Sequence, residues 1–382
     1  MSYLRGIYQR DAGGRTWAPA DAKAGLDHEY LSPLAKEGSL FLLAGESPGA
    51  AAAILKKCAA FQPSASCLQK LAERAGQMIE ANEDGLYDAI RANESAPAGT
   101  RALAVSLDGA NVLLNEPGEK KGRPRERPGK DDAEESPSAY RNAMVGSATF
   151  YGTVPKGEKS PRKLSGRVVA RMPEEGYPHF KRCFEREVAA AAGKLPPEAE
   201  LVLLCDGARG LWKYAGQTKL FKDFVKVLDY FHAAEHLSLA AEAVFGKSSA
   251  AGEKWHEVWR KRLLEEKGAA GKLLRALDYL ARTRKLGKAA RHSLAAQRGY
   301  FKRNRKLMEY AELREAGLPI GSGPVEAACK VVVKQRLCRS GQRWSRVGGQ
   351  HILHLRALVR SGRWESFWPR YRNLEQVAKS AA

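Results

Sequence analysis

Short apolar runs closed by turn residues occupy the middle of this chain, and helical periods lie on either side. The runs at 102–107, 144–152, 166–172, 200–205 and 224–228 stop at or just before Gly, Pro or Asp, the pattern of strands packed into a core. The first three predict an antiparallel meander, and 110–114 continues beyond the first as extended chain. Upstream, Ser47-Pro48 starts a helix over 50–60, Phe61-Gln62-Pro63 breaks it, and Ser64 caps a second helix to about residue 80. Phe180, Cys183, Phe184 and Val188 recur at helical spacing and predict a helix over 177–192. Beyond His236 the pattern is helical throughout, with helices at 238–245, 255–266, 269–283 and 296–312. A Gly/Pro loop at 317–324 precedes helices at 325–338 and 347–361, and Trp364, Phe367 and Trp368 close the chain. Residues 1–44 show no clear period.

The order strand, strand, strand, helix, strand, then helices is that of a ribonuclease-H-like core, an α/β fold with a mixed sheet. The domains expected are a helical N-terminal region at 1–98, the first part of the core at 99–237, an all-helical insertion at 238–318, and core helices at 319–382. Within the first, 47–80 has the outline of a helix-turn-helix, with Gln69, Lys70, Glu73 and Arg74 on the outer face of its second helix. A plain helical hairpin has the same outline. Residues 116–138, rich in Pro, Gly and charge, cannot bury a core and read as a mobile loop.

Composition changes this picture chiefly through charge. The 382 residues are 44% hydrophobic and 28% charged, a globular balance, yet the net charge is +21. So large an excess favours a polyanionic partner, with nucleic acid ahead of an acidic membrane surface. No apolar run is long enough to span a bilayer, and the first residues carry no apolar signal core, so a cytoplasmic protein is expected, nucleoid-associated when bound to DNA. Cysteines at 58, 67, 183, 205, 329 and 338 form no CxxC and read as reduced, buried small side chains.

Three carboxylates stand at places where such a core gathers chemistry. Asp108 follows the first apolar run and reads as the end of the central strand. Asp206 follows the fourth run, 98 residues later, and Glu326 lies in the opening turn of a late helix. Convergent carboxylates suit two-metal phosphoryl transfer, because Mg²⁺ takes hard oxygen ligands and keeps several waters. Taken singly, Asp108-Gly109 and Asp206-Gly207 are ordinary turns and Glu326 is a helix-start charge. Together, and with the positive charge, they favour the metal site. A rival is the HxxEH at His232, Glu235 and His236, the form of an inverted zincin motif, although nothing marks a third zinc ligand. On the late helix Glu326, Lys330 and Lys334 recur every four residues, so the lysines, with Arg336, share the approach to phosphates. Trp344 reads as a packing residue.

The chain resembles the bacterial insertion-sequence DDE transposases of the ISKra type. The most specific match is GSGPVEAACKVVVKQRLCRSGQRWSRVGGQHILHLRALVRSGRWESFW at 321–368. SLDGA at 106–110, CDGARGLW at 205–212 and LDYFHAAEHL at 228–237 resemble further segments of that family. The resemblance implies Asp108, Asp206 and Glu326 as a catalytic triad holding two Mg²⁺ or Mn²⁺ ions, with Asp229 and His232 in support. It implies DNA as partner, both element ends and target, and a homo-oligomer in the DNA complex. Lys330, Lys334, Arg336, Arg339 and Arg343 in the late block, with Lys70 and Arg74, are the expected DNA contacts. Family members often carry a Cys-rich segment near the N-terminus; the corresponding IYQRDAGGRTW has no cysteine. Alternatives are a decayed copy that binds DNA without cutting it, the zinc peptidase, and a nucleic-acid-coating protein.

Overall fold

The computed structural model describes residues 31–59, 61–115 and 140–381. In chain order its elements are α1 (Pro33–Gly45), α2 (Pro48–Cys58), α3 (Ala65–Ala81), α4 (Glu83–Ala92), β1 (Ala102–Leu113), β2 (Tyr140–Tyr151), β3 (Lys163–Arg171), α5 (Pro178–Ala192), β4 (Glu200–Cys205), α6 (Arg209–Gln217) and β5 (Val225–Leu228). There follow α7 (Tyr230–Phe245), α8 (Ala250–Glu265), α9 (Ala269–Thr283), α10 (Lys288–Asn304), α11 (Tyr310–Glu315), α12 (Gly323–Ala328), α13 (Arg346–Arg360) and α14 (Trp364–Ala381). A π-helical stretch, Cys329–Lys334, and a single turn, Gln335–Leu337, follow α12. The expected loop at 116–138 and the cysteine-free segment at 7–17 lie outside the described residues. Among the described residues no helix is long and apolar enough to cross a membrane.

The chain divides into two compact units, one built from 1–93, 112–140 and 335–382, the other from 94–111 and 141–334. In the first, α13 packs on α3 and α1, and α14 packs on α4. Ser47 and Ser64 start α2 and α3 as expected: each hydroxyl accepts a backbone N–H three residues on, at 3.2 and 3.1 Å. Such caps are worth about 1 kcal/mol each. The buried side of α3 carries Leu68, Leu71, Ala75 and Ile79, while Gln69, Lys70, Glu73 and Arg74 are exposed.

The second unit is an α/β layer structure on a five-stranded mixed sheet of order β3-β2-β1-β4-β5. β2 and β3 are antiparallel, β1 and β4 parallel, β4 and β5 parallel. Alternation along the strands supplies both layers. Leu103, Val105, Leu203 and Cys205 face α5, meeting Phe180, Phe184 and Val188. Ala102, Ala104, Val202 and Leu204 face the opposite layer, meeting Tyr230, Ala233 and Leu237 of α7 and, behind them, residues of α8 to α10. The helix α5 approaches β2 so closely that a Cβ on Gly146 would lie 2.3 Å from Phe184 Cδ2, and only glycine admits that ring.

Several boundaries differ from expectation. The run at 102–107 and the extended chain expected at 110–114 are one strand, β1 to Leu113, because pairing with its neighbour β2 overrides the Asp108-Gly109 turn signal between them. The helix predicted from 238 starts eight residues earlier, at Tyr230, with Asp229 as its cap. The helix predicted at 325–338 is broken by the π-helical stretch at Cys329–Lys334. The cysteines, expected to be buried, divide: Cys58 and Cys338 are exposed, Cys67 and Cys183 half-buried, and Cys205 and Cys329 buried.

Candidate functional site

All five expected catalytic and supporting residues belong to the sheet unit, and the strands do much of the positioning. β1 and β4 run parallel with Ala102 beside Glu200 and Ser106 beside Leu204, an offset of 98 residues. The paired register ends there; Asp108 lies two residues further along β1, and Asp206 is the first residue past the end of β4. By alternation both follow Ala104 and Leu204 onto the α7 side of the sheet. Asp108 Oδ1 accepts the Gly109 N–H at 2.6 Å. Asp206 closes its own turn: Oδ1 accepts the Ala208 N–H at 2.9 Å, and its carbonyl accepts Trp212 Nε1–H at 2.7 Å. This accounts for the DGARGLW segment.

Asp229 lies at the end of the next strand and is fully buried. Its Oδ1 caps α7 by accepting the His232 N–H at 2.8 Å, and contacts His232 Nδ1 at 3.2 Å. Its Oδ2 accepts the Ser322 N–H, and the Tyr230 N–H donates to Ile320 O at 3.0 Å. The Gly/Pro loop at 317–324 is thereby tied to the end of β5. The Ser322 hydroxyl in turn donates to Glu326 Oε1 at 3.0 Å. Donor atoms of Asp229, His232 and Glu326 all lie within 4.8 Å of one another.

Electrostatics joins these groups. Burial alone would raise the Asp229 carboxyl, but hydrogen bonds from His232 and Ser322 more than offset it and hold the acid below its usual range. The hydrogen bond to Asp229 pushes His232 up to about 9; burial opposes this, and the charges of Asp229, Asp206 and Glu235 add to it. At neutral pH His232 is therefore an imidazolium beside Asp206. The buried Cys329 thiol is raised by burial first, then by the charge of Asp108, to which it hydrogen-bonds, and by Glu326. Cys329 thus links the Glu326 helix to the β1 carboxylate. Of the predicted triad, Asp108 and Asp206 lie on or just past the parallel β1 and β4, while Glu326 is brought to Asp229 and His232 through Ser322. Among the described residues of this unit, the set close enough to share one ion is Asp229, His232 and Glu326.

This pair has a stability consequence with a definite sign. A His raised in the folded state stabilises fully below its unfolded value of 6.5, and the contribution is lost as pH rises through about 9. In metal-free protein, Tm is expected to fall between pH 7 and 10 by a larger amount in the wild type than in His232→Gln. Differential scanning fluorimetry across that range checks it; parallel curves would contradict it.

Tyr300 of α10 is a site residue that sequence reasoning missed. Its ring stacks on His236 at 3.5 Å, and His236 Nδ1 contacts Gln297 Oε1 at 2.6 Å. The hydroxyl is buried with no hydrogen-bond partner and lies in the field of Asp206, Asp229 and Arg303. A Cβ on Gly207 would fall 2.2 Å from Tyr300 Cε2, so the glycine after Asp206 is required by this ring. Gly207→Ala should cost about 1–3 kcal/mol by overpacking. A double-mutant cycle with Tyr300→Leu should show coupling of order 1 kcal/mol, whereas additive effects would remove the explanation.

The rival zinc reading loses its geometry. His232 and His236 are held by different partners, and among the described residues no ion-sized donor set contains both.

The expected DNA contacts divide. Lys330 and Lys334 are exposed, on the same side as Glu326. Lys70, Arg74, Arg336, Arg339 and Arg343 belong to the other unit. Arg336 is a correction: it is 2% exposed, lies 5.0 Å over the Trp344 ring, and is lowered to about 10 by burial and the neighbouring Arg339 charge. It is a packing residue and not a phosphate contact. Trp344 packs as expected, its indole N–H donating to Leu337 O at 3.0 Å. Arg339 is partly committed, to Glu46 Oε2 and Gly45 O, both at 3.0 Å. Arg343 is exposed. Compared with known proteins, the chain matches no protein-family model and no curated protein sequence.

Proposed function

We propose that this chain is a DDE transposase, a metal-dependent polynucleotidyl transferase on a ribonuclease-H-like core. It would cut DNA at element ends and join the freed 3′-hydroxyl to target DNA. What supports this reading is the parallel register of β1 and β4, which ends at Ser106 beside Leu204, two residues before Asp108 and Asp206, with Glu326 on a late helix of the same unit. The strand order β3-β2-β1-β4-β5, with β1 central, fits the same core. The net charge of +21 suits a polyanionic substrate.

Asp108, Asp206 and Glu326 would offer the hard carboxylate oxygens that Mg²⁺ or Mn²⁺ takes, and Glu326 also lies within one ion's reach of Asp229 and His232. Bound there, two ions would activate the attacking hydroxyl and stabilise the leaving oxygen. Asp108 and Asp206 hold the reacting phosphate's counter-charge on the rigid sheet. Asp229 fixes the His232 imidazolium beside Asp206, where a positive N–H can meet a non-bridging phosphate oxygen. Lys330 and Lys334 continue the positive face along the Glu326 helix.

The experiment is a nicking assay on supercoiled plasmid with the full chain. Conversion to open circle in Mg²⁺ or Mn²⁺, abolished by chelation, supports the reading. Duplex binding with no cutting in either ion would leave the decayed, binding-only alternative.

A further inference from the structure

Positive charge is unevenly spread over the helical part of the sheet unit. Between residues 279 and 308 the chain carries ten Lys or Arg and no Asp or Glu, close to half the net charge of +21. All ten are exposed. In the neighbouring α8, α9 and their link, four cations are ion-paired. Lys261 pairs with Glu265 at 3.9 Å, Arg262 and Lys272 with Glu266 at 2.8 and 2.9 Å, and Lys267 with Glu315 at 2.7 Å. Within the acid-free interval the only ion pair among the described residues joins Arg298 to Asp278.

The charges of the interval, all but Arg298 without an ion pair among the described residues, are ordered along α10. Lys288, Arg291, Arg298, Lys302 and Arg305 follow one another at helical spacing along its exposed face and just past its end. The opposite face buries Leu294, Gln297, Tyr300 and Phe301 against the core. Seventeen residues of helix make a straight stripe about 25 Å long, the length of about seven phosphates on one strand of a duplex. At the C-terminal end the Arg303 charge acts on the Tyr300 phenol, as do those of Asp206 and Asp229, so the stripe ends beside the carboxylates. A solvated face needs no such arrangement. Like charges on one rigid helix repel, and a polyanion laid along them relieves the repulsion.

We propose that the exposed face of α10, with the turn from α9, docks the sugar-phosphate backbone of duplex DNA and leads the strand to the carboxylate site. This rests on the DNA reading above but concerns residues that the chemistry does not use.

The test is anisotropy of a fluorescein-labelled duplex with the full chain over a series of NaCl concentrations. Two triple variants remove equal charge: Lys288→Gln/Lys302→Gln/Arg305→Gln on the stripe, and Lys261→Gln/Lys267→Gln/Lys272→Gln at the paired positions. The stripe variant should lower the slope of log K against log salt by about 2–3, near 0.9 per lost phosphate contact, and weaken binding at least tenfold. The paired-position variant should keep the wild-type slope. Equal losses in both variants would reduce the effect to net charge and overturn the proposal, as would an unchanged slope in the stripe variant. Stronger competition by single-stranded RNA of the same length would overturn the commitment to duplex DNA. A wild type with no salt-dependent duplex binding would instead remove the DNA reading itself.

Discussion

Asp206→Asn is expected to leave the fold intact and to reduce metal-dependent nicking by about 10³-fold or more. The turn after β4 depends on Asp206 Oδ1 accepting the Ala208 N–H at 2.9 Å, and on the backbone carbonyl accepting Trp212 Nε1–H. An asparagine oxygen can accept the first bond, and the second does not involve the side chain. The substitution therefore removes charge and little else. A metal ligand contributes several kcal/mol of transition-state stabilisation, and each 1.36 kcal/mol is tenfold in rate, hence about 10³. Single-turnover nicking at saturating DNA measures the rate free of any change in affinity. A rate within tenfold of wild type, with an unchanged unfolding midpoint, would remove Asp206 from the catalytic set.

Asp229→Ala should act mainly through stability, lowering it by about 2–4 kcal/mol. The fully buried carboxylate caps α7, receives the Ser322 N–H and contacts His232. Loss of a helix cap costs about 1 kcal/mol, and hydrogen bonds to a charged group are worth about 1.5–3. The ion pair adds less, because the His232 side chain is 36% exposed and its charge is screened by water. Asp229→Asn can keep the cap through its one oxygen, but its amide NH2 cannot accept the second buried N–H, that of Ser322, so it should lose about 1–3 kcal/mol. Urea unfolding of the two variants separates these terms. Equal destabilisation by Ala and Asn would mean that the charge and the bond to Ser322, and not capping, dominate at this position.

What was legible in the sequence follows from how local each signal was. β4 was read to the residue because an apolar run is stopped by Asp206-Gly207 in isolation from other parts of the chain. α9 was equally legible from its strong apolar stripe at Leu273, Leu277 and Leu280. β1 was read in two pieces because Asp108-Gly109 is a turn signal locally, and only a neighbouring strand turns it into extended chain. The His-rich segment after Asp229 reads as a helix start, and 238–245 reads as a helix; the two are one element, α7, because Asp229 caps it at Tyr230 and the polar HAAEH only breaks the apolar period within it. α6 went unread because nine residues with two glycines and one buried side chain carry little period.

The site divides in the same way. Asp108, Asp206 and Glu326 were nameable, but their relation rests on a sheet register and a loop anchor that no local pattern encodes. Tyr300 left no signal, since its role comes from the approach of α10 to Gly207. Arg336 did leave one. It stands four residues after Val332 and three after Val333, on the helix face those valines bury, so its burial was readable from spacing. Cys329 stood in the resembling block without a role; in the structure it is buried and its thiol is raised by burial and by the neighbouring Asp108.

The central claim is that Asp108 and Asp206 hold metal together, with Glu326 completing the set. A crystal of the full chain soaked in Mn²⁺, with an anomalous difference map at the manganese edge, tests it directly. The account predicts a peak bridging Asp108 and Asp206 carboxylate oxygens at about 2.1 Å, the distance hard octahedral cations adopt, and a second peak toward Glu326. A single peak held by Asp229, His232 and Glu326, with none between Asp108 and Asp206, would contradict it.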